Sequence, residues 1–159
     1  SFYHCTIANS WSWSPVRTDP SLYISNYYFY KDANGANQVE IRDIDNAYFG
    51  NCIIWGSQSN ELIIDQYPDG GILNYHFENC IGRFDPAELA ISEENFPGLI
   101  NEDPVFISWE EYDFQLDTLS PAKDAGSIDI GLLFPLDLKG DSRTSDSGPD
   151  IGAFERIEN

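Results

Sequence analysis

Apolar and polar positions recur in a short frame along the first hundred residues. Phe2-Tyr3-His4-Cys5-Thr6-Ile7, Phe49-Gly50-Asn51-Cys52-Ile53-Ile54 and Phe77-Glu78-Asn79-Cys80-Ile81-Gly82 share it, and Ile24-Ser25-Asn26-Tyr27-Tyr28-Phe29 is a degenerate copy. The copies start at residues 2, 24, 49 and 77, so the steps are 22, 25 and 28 residues. A repeat whose length drifts predicts a solenoid with variable loops, not a helical repeat of fixed length. Side chains on a strand alternate faces, so Phe at the first place and Cys at the fourth cannot both point inward on one straight strand. A bend between them resolves the conflict. The third place is His4, Asn26, Asn51 and Asn79, and Asn tolerates a left-handed backbone better than other non-glycine residues.

Each copy therefore reads as strand, bend, strand. Stacking the copies about 4.8 Å apart would align His4, Asn26, Asn51 and Asn79 in a structural ladder. The fold class predicted is all-β, a right-handed parallel β-helix (solenoid) with a C-terminal cap and tail. Rungs occupy residues 1–84, a capping helix and last rung 85–106, and a tail packed on the solenoid 107–159. The helix is expected from Asp85 to Asn95, with Asp85 as N-cap, Pro86 in the first turn and Glu88 three residues on.

The same parity turns the fifth and seventh places outward. That column holds Tyr28, Tyr30, Ile53, Trp55, Ile81 and Arg83. An outward apolar column needs a cover, supplied by the chain's own C-terminal segment, by a protein partner or by a sugar stacked on the aromatic faces. These six residues are the candidate binding positions.

Charge narrows the partners. Lys and Arg number 8 against 27 Asp and Glu, a formal net charge of −19. So acidic a surface repels nucleic-acid phosphates and anionic membranes. No apolar run is long enough to span a bilayer. The three cysteines show neither Cys-x-x-Cys nor Cys/His zinc spacing and are expected to be free, buried thiols. The chain lacks Met, even at position 1, and reads as a fragment or processed product.

The C-terminal third carries ordered landmarks: Asp103-Pro104-Val105-Phe106, Tyr112-Asp113-Phe114-Gln115-Leu116, Ser120-Pro121-Ala122-Lys123-Asp124-Ala125-Gly126, Asp137-Leu138-Lys139-Gly140-Asp141-Ser142-Arg143 and Pro149-Asp150-Ile151-Gly152-Ala153-Phe154-Glu155. With the upstream rungs, the series resembles the end of bacterial right-handed parallel β-helix repeat proteins, including the choice-of-anchor Q type. Lys123 and Phe154 depart from the usual aliphatic residue and Tyr. The resemblance implies a secreted or bacterial outer-membrane surface protein of Bacteroidetes type, carrying a lipid anchor or sorting tail. Within the tail, Arg143 is expected to form a fork with Asp137 or Asp150.

Candidate chemistry is sparse. Parallel β-helices host pectate lyases and polygalacturonases, but the grouped acids of the latter are absent, and Arg17, Arg42 and Arg83 fall at different rung places. No catalytic residue and no metal ligand is assigned. His4 sits in the bend column and His76 on a strand. No cofactor is expected; calcium is considered only for the loop from Asp141 to Asp150, which lacks a closing Glu. The expected function is a non-catalytic cell-surface or secreted binding or scaffold module, such as a subunit of an outer-membrane complex, taking a protein partner or a glycan. The alternatives are a polysaccharide lyase or glycoside hydrolase with its active site in upstream rungs, and an adhesin.

Overall fold

The computed structural model describes residues 1–10 and 17–157. The chain makes three passages of short strands. The first holds β1 (Phe2–Tyr3), β2 (Thr6–Asn9) and β3 (Leu22–Ser25); the second holds β6 (Ile44–Gly50), β7 (Ile53–Gly56) and β8 (Leu62–Asp65); the third holds β9 (Leu73–Glu78) and β10 (Ile81–Gly82). Counterparts pair in parallel: Phe2 with Phe49 with Phe77, Thr6 with Ile53 with Ile81, and Leu22 with Leu62. Residues 95–100 lie on the far side of the third passage, where Phe77 N–H donates to Asn95 O at 2.8 Å and Asn79 N–H to Pro97 O at 2.9 Å. Between the first two passages β4 (Tyr27–Lys31) and β5 (Asn37–Ile41) form an antiparallel hairpin. The tail contributes β11 (Phe106–Ser108), β12 (Asp113–Leu116) and α1 (Ile128–Leu133).

The frame acts as the alternation demands. His4, Asn51 and Asn79 take left-handed φ of 49°, 52° and 48°, which sends Phe and Cys of one copy to the same interior. The Phe rings stack in a row: Phe2 on Phe49 at 4.8 Å, Phe49 on Phe77 at 4.6 Å, and Phe77 on Phe96 at 5.3 Å. Beside them Cys5 N–H points to Cys52 Sγ at 3.5 Å and Cys52 N–H to Cys80 Sγ at 3.3 Å. All three thiols are free; Cys52 and Cys80 are buried and Cys5 is half-buried.

Several expectations are corrected. Among the described residues the fold is all-β, but its strands are short and fall into five small sheets, two of them antiparallel pairs, which do not show a continuous solenoid. The copy at Ile24 belongs to another sheet, where it pairs with Ile64, and Asn26 is not among the left-handed residues. The stacked copies therefore start at 2, 49 and 77, with steps of 47 and 28 residues. What interrupts the repeat is the hairpin turn, where Asp32 Oδ1 accepts N–H from Asn34 at 2.9 Å and Ala36 at 3.0 Å while Gly35 takes φ 80°.

The helix expected over 85–95 does not form. Asp85 caps Ala87 N–H at 2.9 Å, and Glu88 and Leu89 N–H return to Asp85 O, but the turn stops there. Helix nucleation is costly, and from 85 to 95 only Leu89 is buried to anchor one. The α-helix lies instead at α1, where Ile130 is buried close to Gly50; a Cβ there would sit 2.6 Å from Ile130 Cδ1.

Candidate functional site: an aromatic cavity beside Trp55

Parity places Ile53 and Trp55 on the outer face of β7, and Ile81 on that of β10. The tail covers much of this face. Ile53 and Ile81 are fully buried in a second core with Leu116, Ala122 and Ile151. Gly152, at φ 108°, brings its backbone onto Ile53 and donates to Asn51 O at 2.8 Å. Burial removes Ile53 and Ile81 from any solvent-facing binding column.

Trp55 lies at the rim of that cover. Arg83 places its guanidinium 5.4 Å from the Trp55 ring centroid, and its Nη1 donates to Gly56 O at 2.7 Å. A cation over an indole face is attractive by about 0.5–2 kcal/mol. Phe106, Trp109 and Asp103 close the far wall, and Ser10 and Ser57 complete a cavity of about 220 Å³. Trp109 is 41 % exposed and begins a 3-10 turn, Trp109–Glu111. Val105, a β-branched residue, stands at φ 49° just before Phe106. Such strain costs on the order of 1–3 kcal/mol and must be over-determined by its surroundings. Asp103 Oδ1 accepting Val105 N–H at 2.8 Å, and Ser120 Oγ donating to Pro104 O, supply that constraint.

The other predicted positions lie elsewhere. Tyr28 and Tyr30 are on the hairpin, 48 % and 43 % exposed, with Arg42 5.7 Å from the Tyr28 ring centroid. They share no sheet with Trp55. In the bend column Asn51 Nδ2 is 3.2 Å from His4 Nε2. The tail reads the rest: Asn51 Oδ1 accepts Ser127 N–H at 2.7 Å, Asn51 Nδ2 reaches Ser127 O at 3.1 Å, and Asn79 Nδ2 donates to Ala125 O at 3.0 Å. Asn26 instead accepts Tyr67 N–H at 2.8 Å. Burial, then the nearby Arg143 charge, pull His4 down to about 4, so its ring is neutral at physiological pH.

Asn51→Ala is expected to destabilise the chain by about 3 kcal/mol, adding left-handed strain to the orphaned Ser127 groups. Asn51→Gly relieves the strain and should cost less. Urea unfolding of both variants checks the order.

Arg143 does not take the expected fork. Its Nη1 donates to Glu155 at 3.2 Å and its Nη2 to Ala153 O at 3.1 Å. Asp137 is already occupied by N–H groups of Lys139, Asp141 and Glu155, and Asp150 by those of Asp124 and Arg156. In the Asp141–Asp150 loop the Asp150 carboxylate is thus turned inward. Among the described residues no group of three or more His, Cys, Asp or Glu side chains could hold a metal ion.

Sequence reasoning passed over one buried ion pair, Arg17 with Glu61. Glu61 also accepts N–H from Ser21 and Gln58 at 2.7 Å each. Burial would raise its carboxyl, but Arg17 and these donors hold it below the usual range. The far wall of the cavity was also missed, because Asp103, Phe106 and Trp109 reach Trp55 only through tertiary packing of the tail.

Comparison with protein families finds no match, and comparisons with curated proteins and with solved structures find none either. The resemblance to choice-of-anchor Q and related β-helix repeat proteins is therefore corrected: no family match supports it, and the small separate sheets do not make the solenoid it implies. Its tail landmarks have local explanations. Asp103, Asp113 and Asp137 each accept N–H groups two residues on, and Ser120 Oγ accepts Ala122 N–H. Turn chemistry of this kind recurs in unrelated chains.

Proposed function

We propose that the chain is a non-catalytic binding module of a secreted or cell-surface protein, and that the cavity beside Trp55 binds a neutral glycan. The observation that carries this is the grouping of Trp55, Trp109 and Phe106 with Arg83 and Asp103 around one concavity. Aromatic faces suit the apolar face of a pyranose, and a guanidinium with a carboxylate suits its hydroxyls. A chain of net charge −19 disfavours a polyanionic ligand. Among the described residues no helix is long and apolar enough to cross a membrane.

Titration of neutral oligosaccharides, followed by tryptophan fluorescence, tests the reading. Saturable binding that Trp109→Ala weakens about tenfold or more is expected, since base–aromatic and similar stacking contacts are worth about 1–3 kcal/mol. A broad neutral panel without any binder sinks it.

We also propose that the three parallel passages are turns of a short right-handed parallel β-helix. Support comes from the shared register of the Phe and Thr/Ile columns and from the general right-handedness of parallel crossovers. A second binding reading, a protein partner, is favoured by the exposure of Tyr28, Phe29 and Tyr30 together on the hairpin. If Tyr28→Ala with Tyr30→Ala leaves every protein interaction intact, the hairpin is not an interface.

A further inference from the structure

The hairpin of β4 and β5 closes on Asp32-Ala33-Asn34-Gly35-Ala36. Asp32 clamps both sides of this turn. Its N–H donates to Ala36 O at 3.0 Å and its O accepts Gly35 N–H at 3.0 Å. Its Oδ1 accepts N–H from Asn34 at 2.9 Å and from Ala36 at 3.0 Å. The clamp holds the register of the pairs that follow, from Lys31 with Asn37 to Tyr27 with Ile41. Among the described strands β4 and β5 pair only with each other, and a two-stranded hairpin is marginal by itself. Its order therefore leans on the turn.

The turn also carries a reactive pair. Asn34 precedes Gly35, and no other Asn in the chain precedes a glycine. With no Cβ on the following residue, the backbone nitrogen is unhindered. Residues 33–38 are exposed, and even a Cβ added at Gly35 would meet nothing within 4 Å. The tip is open to water and has room to rearrange. Asn26 and Asn51, by contrast, are buried and are followed by Tyr27 and Cys52. One bond opposes reaction at the tip, from Gly35 N–H to Asp32 O. Opening a single hydrogen bond at an exposed turn costs far less than global unfolding.

We propose that Asn34–Gly35 is a self-modification site: Asn34 converts to iso-aspartate with water as the only co-reactant, and the lengthened backbone releases the hairpin that carries Tyr28, Phe29 and Tyr30. In the first step Gly35 N attacks Asn34 Cγ. The N–Cγ bond forms, the Cγ–Nδ2 bond breaks, and ammonia leaves with the Gly35 proton, giving a cyclic imide. Water then adds at the former main-chain carbonyl of residue 34 and breaks its bond to Gly35 N. The chain now runs through Cβ and Cγ, one atom longer, and the α-carboxylate stands free. The extra atom displaces Gly35 and Ala36 from the Asp32 groups that hold them. The new carboxylate adds repulsion, because the Ala36 and Asn34 N–H groups hold the Asp32 carboxyl below its ordinary value and so keep it an anion. Fraying from the tip removes the cross-strand partners of Tyr30, Phe29 and Tyr28, which are 43 %, 70 % and 48 % exposed. The inference stands apart from the glycan reading and limits the lifetime of the hairpin surface.

The test follows the whole chain in warm, mildly alkaline buffer by peptide mapping. The peptide between Lys31 and Arg42 should gain about one dalton ahead of every other Asn-containing peptide. Electron-transfer fragmentation should place the change at Asn34, not Asn37, and show the iso-aspartate linkage. Asp69–Gly70, another pair open to imide formation, isomerises without a change of mass and does not enter this readout. Asn34→Gln needs a larger ring and should leave residue 34 unmodified over the same time. In the iso-aspartate protein, amide exchange across β4 and β5 should be about tenfold faster or more, with β6 and β7 unchanged. Asn34→Asp adds the charge without the extra atom and should loosen the hairpin much less. Another Asn reacting before Asn34 overturns the proposal. So does hairpin exchange in the iso-aspartate form that equals the fresh protein, or equal loosening in Asn34→Asp.

Discussion

Phe77→Ala is expected to destabilise the protein by about 3–5 kcal/mol, the range for removing a buried aromatic ring from a packed core. Phe77 has no exposed surface and sits in the row of rings between Phe49 and Phe96, almost parallel to the first, at 3°. Its neighbours are fixed by backbone pairing above and below, so they cannot collapse into the space: Phe77 pairs with Phe49, and its N–H is tied to Asn95 O. Phe2→Ala is the internal comparison. Phe2 has one stacking partner and is half-exposed, so its loss should stay below about 2 kcal/mol. Chemical denaturation of both variants gives the contrast. Equal losses would mean that ring stacking along the row is not what holds the passages together.

The row also shows how much of the fold could be read beforehand. Opposite parity of Phe and Cys implied a bend, and the left-handed His4, Asn51 and Asn79 are that bend. Alternation was legible because a strand's period depends only on local geometry. The degenerate copy at Ile24 misled because an isolated Asn26 and a run of aromatics look the same whether the strand stacks or turns away. The Asp32–Ala36 turn decided that, and its signal, Asp-x-Asn-Gly, sat outside the frame. At the candidate site, Trp55 and Arg83 were legible as outward places three residues beyond Cys52 and Cys80. Nothing in the pattern placed Phe106 or Trp109 opposite them, since their position depends on long-range docking of the tail. The same docking buried Ile53 and Ile81.

What fixes the docked tail is a buried charge cluster, and Arg143→Met should expose its cost. Arg143, 2 % exposed, faces Glu155, Asp137 and Asp150, all at least nine-tenths buried. Burial draws the guanidinium somewhat below its ordinary value, yet it stays a cation. Three acids around one cation leave excess negative charge. Backbone donors hold Asp137 low against the opposing effect of burial. Burial pushes Asp150 up to about 6. Burial, then the Asp150 charge, push Glu155 up to about 8. A carboxyl raised from 4.5 to about 8 on folding stabilises the fold fully below pH 4.5, and that contribution is lost as pH rises through 8. His4, lowered from 6.5 to about 4, works in the opposite sense, but only below pH 6.5. The wild-type protein should therefore lose up to about 2 kcal/mol between pH 6.5 and 8 (1.36 × 1.5), a decline absent in Glu155→Gln. Arg143→Met removes the cation and should cost about 3–5 kcal/mol at pH 9, above the Glu155 value, where that carboxylate is mostly charged. The cost should shrink markedly at pH 5.5, where Glu155 carries a proton. Thermal melts of the three proteins across this range decide the matter: a penalty for Arg143→Met that ignores pH would show that Glu155 is not the group that takes up the proton.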